Sequence, residues 1–374
     1  MTHSAMTVSE TQDVLAEVKG QLGCITLNRP KALNALSLPM IRALTQALLS
    51  WRDDPRVKAV AVRGSTKHGV FGAFCAGGDI RFFHQAALSG NPQLEDFFTE
   101  EYALNHLVHN YPKPYIAFMD GVVMGGGMGI SQGASMRLVT ERTKMAMPET
   151  LIGLFPDVGG GYFLSRCPGR TGEWLGLTGE IIGAGDAISL GLADRYLEAS
   201  GLATAWQALE ELDHGQPGAL DAWMARYAST AGPASTISRS EIDHFFAAAT
   251  VPAIIKALES SDSAWARHTA ATLRKRSPLM LHVVLEQVRR ARHMSLAADL
   301  RMERDMVRHC FNTHHLARSG AASETVEGVR ALAVDKDHRP QWTPARIEDV
   351  SPEMVTPFFE SPWPAHAHPL AHLT

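Results

Sequence analysis

The chain has 374 residues, 45% of them hydrophobic and 20% charged, with a formal net charge of −4. This is the composition of a globular protein of about one to three domains, long enough to bury a sizeable core. The slight acidity excludes a broad polyanion-binding surface, so nucleic acid is not expected as a partner.

Cys24, Cys75, Cys167 and Cys310 are scattered and form no CxxC pair. That pattern predicts a reduced, cytoplasmic protein without disulfides or a zinc knuckle. No charged n-region followed by an apolar core opens the sequence. No apolar run reaches the roughly 18 residues of a membrane span, so no membrane association is expected. Of the 17 histidines, the densest groups are His106–His109 and His366–His372. Neither has the Cys or carboxylate company of a metal site, and no metal is expected.

In chain order, "VLAEVKGQLGCITLNRP" alternates and turns at Lys19-Gly20, predicting a β-hairpin. "SLPMIRALTQALLSW" carries Met40, Ile41, Leu44, Ala47, Leu48 and Trp51 at helical spacing, with Ser37 as N-cap. "VKAVAVRGS" is a short apolar strand. "PYIAFMDGVVMGGGMGISQGA" is strand, turn and helix. "MRLVTERTKMAMPE" reads as a strand pair. The pattern is layered α/β with hairpins, not strict strand–helix alternation. Near Ser200 it becomes Ala-, Leu-, Met- and Arg-rich with helical periodicity. "AGPASTIS" is a loop. Leu279–Phe311 reads as two helices meeting at Ser295, with "RRARH" on a helix face. The expected division is an α/β core over residues 1–200 and a mostly helical region over 201–374.

Three stretches suggest chemistry. "FCAGGDI" (Phe74–Ile80) and "MGGGMGI" (Met124–Ile130) are glycine-rich turns entering helices, where backbone N–H groups are free and negative charge is favoured. Two such donors converging on one oxygen would make an oxyanion hole. "MPETLIGLFPDVGGGYFLSR" (Met147–Arg166) carries Glu149 and Asp157 into an apolar stretch. A buried carboxylate is costly unless paired or functional, and burial raises its pKa toward the range of acid–base catalysis. The same residues also fit a structural reading, with Glu149 capping a turn after Pro148 and Asp157 opening a glycine-rich helix. Phe82, Phe83, Phe155 and Trp174 fit either pocket walls or core. "GISQG" satisfies G-x-S-x-G, but Ser131 falls inside the helix and not at the strand-to-helix turn that a nucleophile elbow needs. "GGGMG" lacks GxGxxG spacing, which excludes dinucleotide binding.

Taken in order, these motifs resemble the crotonase (enoyl-CoA hydratase/isomerase) superfamily. "LNRPKALNAL" (Leu27–Leu36) is similar to its N-terminal signature. "FCAGGDI" and "DGVVMGGGMGI" are similar to its two oxyanion-hole segments, and "LTGEIIGAGDAISLGLADRYL" (Leu177–Leu197) to a later run. "MPETLIGLFPDVGGGYFLSR", "SPLMLHVVLEQVRR" (Ser277–Arg290) and "EGVRALAVDKDHRPQW" (Glu327–Trp342) resemble the 3-hydroxyisobutyryl-CoA hydrolase branch.

The resemblance implies a crotonase-like spiral of ββα units completed by the helical C-terminal region. It implies hydrolysis of a short-chain 3-hydroxyacyl-CoA thioester, foremost 3-hydroxyisobutyryl-CoA, in valine catabolism. Gly78 and Gly126 would supply the oxyanion-hole amides. Lys31 would meet a CoA phosphate, backbone around Ala76 and Gly77 the adenine and pantetheine, and Ala32, Leu33 and Gly129 would lie along the substrate. Coenzyme A enters as part of the substrate, with no separate cofactor. Superfamily members form trimers or hexamers, which extends to a homo-oligomer here, although the longer C-terminal region weakens that carry-over. Hydratases of the family place a Glu three residues after the second hole glycine, and here that residue is Gly129. Glu149 remains and Asp157 is added. Two other readings stay open: an enoyl-CoA hydratase or isomerase, and an acyl-CoA-binding subunit without turnover.

Overall fold

The structure is a computed structural model that describes residues 12–374. Those residues form two compact units that interleave along the chain. The first contains the chain up to Gly78, Leu104–Met145 and Ile181–Thr236, and the second Asp79–Ala103, Ala146–Glu180 and Ile237–Thr374. The two units therefore do not divide at residue 200.

The first unit is built on strands β1 (Val14–Lys19), β2 (Leu22–Leu27), β3 (Ala59–Thr66), β4 (Gly69–Val70), β5 (Tyr115–Met119), β6 (Val122–Met124), β7 (Met136–Val139), β8 (Lys144–Ala146) and β9 (Arg195–Tyr196). The main sheet has the order β1-β2-β3-β5-β7-β9, with β4 on β3. The Lys19-Gly20 hairpin forms as expected, pairing Val14 with Leu27 and Lys19 with Leu22. From β2 to β9 the neighbours are parallel. Parallel strands are covered on both faces, and all six residues of β2 are buried accordingly. Leu22 and Cys24 point into a cluster with Ile116, Phe118, Leu138, Trp206 and Trp223. On the other face, Gly23 leaves room for the Trp51 ring of helix Leu38–Arg52, which would collide with any Cβ there.

The segment read as one strand pair divides. β7 joins the main sheet, whereas β8 pairs with β6 in a separate two-stranded sheet. β5 and β6 are split in the same way. Each later ββ unit thus sends one strand to each sheet, the physical form of the expected spiral.

Beyond β9 the described elements are helical. Helices Leu202–Glu210 and Ala219–Tyr227 place Trp206 and Trp223 in the sheet's core cluster. In the second unit, helices Pro278–Ala291 and Leu296–Phe311 meet at the expected cap, Ser295. Ser277 accepts from Met280 N–H and Ser295 from Ala298 N–H, both at 3.2 Å. No helix of the described residues is long and apolar enough to cross a membrane.

Candidate active site

Strand pairing brings the two glycine segments of the first unit together. Cys75 N–H donates to Val122 O at 2.9 Å and Met124 N–H to Cys75 O at 3.0 Å, with Cys75 opposite Val123 in parallel register. Counting three residues on from each member of that pair reaches Gly78 and Gly126. A Cβ on Gly77, which has φ +107°, would lie 3.7 Å from Gly126 N, so the two backbones run in contact. A Cβ on Gly127 would collide with Cys75 O. Gly126 is the first residue of helix Gly126–Gln132, and helix geometry gives its N–H no intrahelical acceptor. Among the described residues, no protein acceptor meets the Gly126 or Gly78 N–H.

The loop holding Lys31, Ala32 and Leu33 lies against the same segment. Ala76 N–H donates to Leu33 O at 3.0 Å and Leu36 N–H to Gly77 O at 2.8 Å. Lys31 and Leu33 are exposed and Ala32 is half-buried. The loop is fixed by Asn34, a residue the sequence reading passed over. It is fully buried at φ 57°, and its Nδ2 donates to the carbonyls of Ser65, Ala73 and Phe74 at 2.9, 3.0 and 3.1 Å. Its Oδ1 accepts from Arg29 N–H at 2.9 Å. Gly129 is buried inside the helix and presents no side chain. Ser131 is also fully buried, with Oγ donating to Gly127 O one turn back at 2.8 Å, so its hydroxyl serves the helix itself.

The second unit gathers carboxylates from separate segments. Glu149 opens the 3-10 turn Glu149–Ile152, and Asp157 begins the turn that leads into helix Gly160–Leu164. Both are buried. They are joined by Glu101 and Tyr102 of helix Gln93–His109. Tyr102 OH donates to Asp157 Oδ2 at 2.8 Å. Burial pushes the Asp157 carboxyl up to about 6, while the Tyr102 hydroxyl and its own backbone amide hold it down. Burial first, then the Asp157 charge, raises Glu149 well above the ordinary carboxyl range. Burial, then Asp157 and Glu149, does the same to Glu101. Oε2 of Glu149 and Oε1 of Glu101 are buried without a hydrogen-bond partner among the described residues.

Three acids pressed together away from water cannot all carry charge. Asp157, with a phenolic donor on it, is best equipped to be the ionised one. An acid in this state can donate or accept a proton near neutral pH, which is what acyl transfer to water requires.

The glycine-rich backbone after Asp157 has its amides occupied by acids of a distant helix. Glu303 accepts from Gly159 N–H at 2.7 Å and Gly161 N–H at 2.9 Å, and Asp299 from Tyr162 N–H at 2.8 Å. Phe83, Phe155 and Trp174 are buried core residues, and Phe82 is half-buried against Phe83 and Phe97. In the histidine-rich tail, His368 Nε2 lies 3.3 Å from Asp305.

Glu101, Asp299 and Glu303 did carry a signal. Glu101 lies on the stripe of Leu94, Phe97, Phe98 and Asn105, and Glu303 on that of Leu300, Met306 and Val307, all buried at helical spacing. An acid on the apolar face of an amphipathic helix is the pattern to look for.

Two glycine segments joined by strand pairing, on a fold whose later ββ units send one strand to each of two sheets, define a crotonase-type protein. A family profile described as "Enoyl-CoA hydratase/isomerase" matches residues 22–359, and the chain belongs to that family. Among curated relatives it is 39% identical over 357 residues to the mitochondrial 3-hydroxyisobutyryl-CoA hydrolase of Danio rerio, covering 93% of this chain and 90% of that protein. It is 38% identical over 366 residues to 3-hydroxyisobutyryl-CoA hydrolase 1 of Arabidopsis thaliana, covering 95% and 93%. Among solved structures, a carnitinyl-CoA dehydratase from Mycobacterium thermoresistibile superposes with a TM-score of 0.84 at 38% identity, covering 94% of this chain and 97% of that one. An enoyl-CoA hydratase from Rhodobacter sphaeroides superposes with a TM-score of 0.81 at 35% identity, covering 94% and 98%.

Proposed function

We infer that this chain hydrolyses the thioester of 3-hydroxyisobutyryl-CoA to 3-hydroxyisobutyrate and coenzyme A. The observation that carries the reading is the acid set. Glu149 and Asp157 are buried and the Asp157 charge adds to burial in raising Glu149, while position 129, where a hydratase of this family needs a second acid, has no side chain. The substrate comes from relatives that bear this activity in their names and align over more than nine-tenths of the chain.

In the proposed reaction the Gly78 and Gly126 amides take the negative charge that develops on the thioester oxygen. Removing one such donor typically costs about 3–4 kcal/mol of transition-state stabilisation. Water adds to the carbonyl carbon and gives a proton to the acid pair. The C–S bond then breaks and the departing thiolate takes a proton, leaving free acid and thiol. Glu149 is the base for water, or the nucleophile of a transient anhydride, and Asp157 holds the charge that keeps it competent or places the substrate hydroxyl. Lys31, Ala32, Leu33, Ala76 and Gly77 would lie along the CoA moiety, and no cofactor is needed beyond the CoA brought by the substrate. The proposed setting is valine breakdown in the cytoplasm, the vertebrate relatives being named mitochondrial. A homo-oligomer is the proposed assembly.

The names of the two solved neighbours favour a second reading, hydration or dehydration of an enoyl-CoA. Gly129 speaks against it. Thiol release from 3-hydroxyisobutyryl-CoA and 3-hydroxypropionyl-CoA, run beside crotonyl-CoA hydration, separates the readings. Hydrolysis is expected, and it should fall at least about 100-fold in Glu149→Gln. Hydration of crotonyl-CoA without thiol release would refute the hydrolase. Tight CoA-ester binding with neither product would mark a binding subunit.

A further inference from the structure

The segment carrying Asp157 is anchored on both sides by one pair of helices. Pro156 O, just before it, accepts from Gln287 Nε2 at 2.6 Å. Just after it, the Gly159 and Gly161 amides each donate to one oxygen of Glu303, at 2.7 and 2.9 Å. Gln287 Nε2 also donates to Glu303 Oε1 at 3.1 Å, tying the two anchors together. Gln287 and Glu303 are both fully buried. Between the anchors, Val158 has φ 58°, a left-handed conformation that a β-branched residue rarely adopts. Such a conformation persists only where the surroundings over-determine it, and it gathers at functional sites.

A buried carboxylate is an expensive way to fill space, and an apolar side chain would pack there at lower cost. What Glu303 supplies and an apolar residue does not is two acceptor oxygens for two amides two residues apart. Its position does not suit direct contact with a reacting atom, because both oxygens are engaged by backbone.

We propose that Glu303, braced by Gln287, is a positioning residue that holds the left-handed turn after Asp157 and so aims the Asp157 carboxylate for hydrolysis. This rests on the role given to Asp157 above. Tyr102 fixes the carboxylate from the side-chain end and Glu303 from the backbone end, so removing Glu303 misdirects Asp157 without removing it.

The test is a double-mutant cycle on thiol release from 3-hydroxyisobutyryl-CoA, with residual rates read at high enzyme concentration. Glu303→Gln keeps the shape but offers one acceptor where two amides need one each. It should lower kcat roughly 10- to 100-fold, the range for sub-ångström to ångström misplacement of a catalytic group, with KM within about threefold. In an Asp157→Asn background the same change should add less than about twofold, since the group being aimed is gone. Equal losses in both backgrounds, or near-normal turnover of Glu303→Gln alone, would overturn the proposal. Near-normal turnover of Asp157→Asn by itself would instead remove the role of Asp157 on which it stands. Should Glu303→Gln fail to fold, Gln287→Met releases Pro156 O from the other side and must show the same non-additivity; additive losses there also overturn it.

Discussion

Asp157→Asn should make the protein less active and, at neutral pH, relatively more stable. In the folded chain the Asp157 carboxyl rises from the ordinary 3.8 to about 6, chiefly because it is buried. Between those values the folded protein binds the proton more tightly than the unfolded chain does. The stabilisation is therefore fully present below pH ~4 and is lost as pH rises through ~6. A rise from 3.8 to about 6 corresponds to about 3 kcal/mol lost across that window. Asparagine does not titrate, and its carbonyl can still accept from Tyr102 OH, so the variant keeps the bond and escapes the loss. Asp299 shifts upward in the same way but is present in both proteins and cancels, whereas Glu149 and Glu101, which the Asp157 charge helps to raise, shift less in the variant and widen the difference in the same direction. The assay is urea unfolding of both proteins at pH 4 and pH 7.5. The stability difference, variant minus wild type, should grow by at least about 2 kcal/mol between the two pH values, whatever the substitution does to packing. Hydrolysis should fall at least about 100-fold in the same preparation. A stability difference that stays within about 1 kcal/mol between the two pH values would refute the argument that burial strains this carboxylate.

Two further substitutions probe the first unit. Asn34→Ala removes the donor shared by the buried carbonyls of Ser65, Ala73 and Phe74 and leaves a Cβ at φ 57°. Unfolding should become easier by roughly 3–5 kcal/mol, measured by urea melts; a change under 1 kcal/mol would mean that the loop is held by something else. Ser131→Ala deletes only a hydroxyl bonded to its own helix, so thiol release should stay within about twofold of wild type, and loss of turnover would revive the serine nucleophile.

Local pattern carried far in this chain and stopped at a definable point. The hairpin at Lys19-Gly20, the cap at Ser295 and the two glycine segments were legible because each depends on residues within a turn or two. Period-two alternation marked β7 and β8 as strands but could not assign their partners, since alternation fixes which face is buried and not what lies beside the strand. The composition change near Ser200 tracked the end of strand structure. The compact units follow packing instead, so helices rich in Ala and Leu, such as Leu202–Glu210, belong with the sheet, while Asp79–Ala103 belongs with the C-terminal helices.

The acid site divides along the same line. Glu149 and Asp157 stood out because their neighbours are apolar. Glu303, 144 residues beyond Gly159, did not, because nothing local says that two distant amides need it. Yet its helix records the fact in another form. Asp299 and Glu303 fall one turn apart among Leu300, Met306 and Val307, where an amphipathic helix places apolar side chains. Glu101 does the same between Phe98 and Asn105. Burying an acid costs several kcal/mol unless donors or function compensate. An acid on an apolar stripe therefore announces a distant backbone donor, as Glu303 does, or a carboxyl whose pKa burial raises toward the range of acid–base chemistry, the reading that fits Glu101 with its unpartnered oxygen.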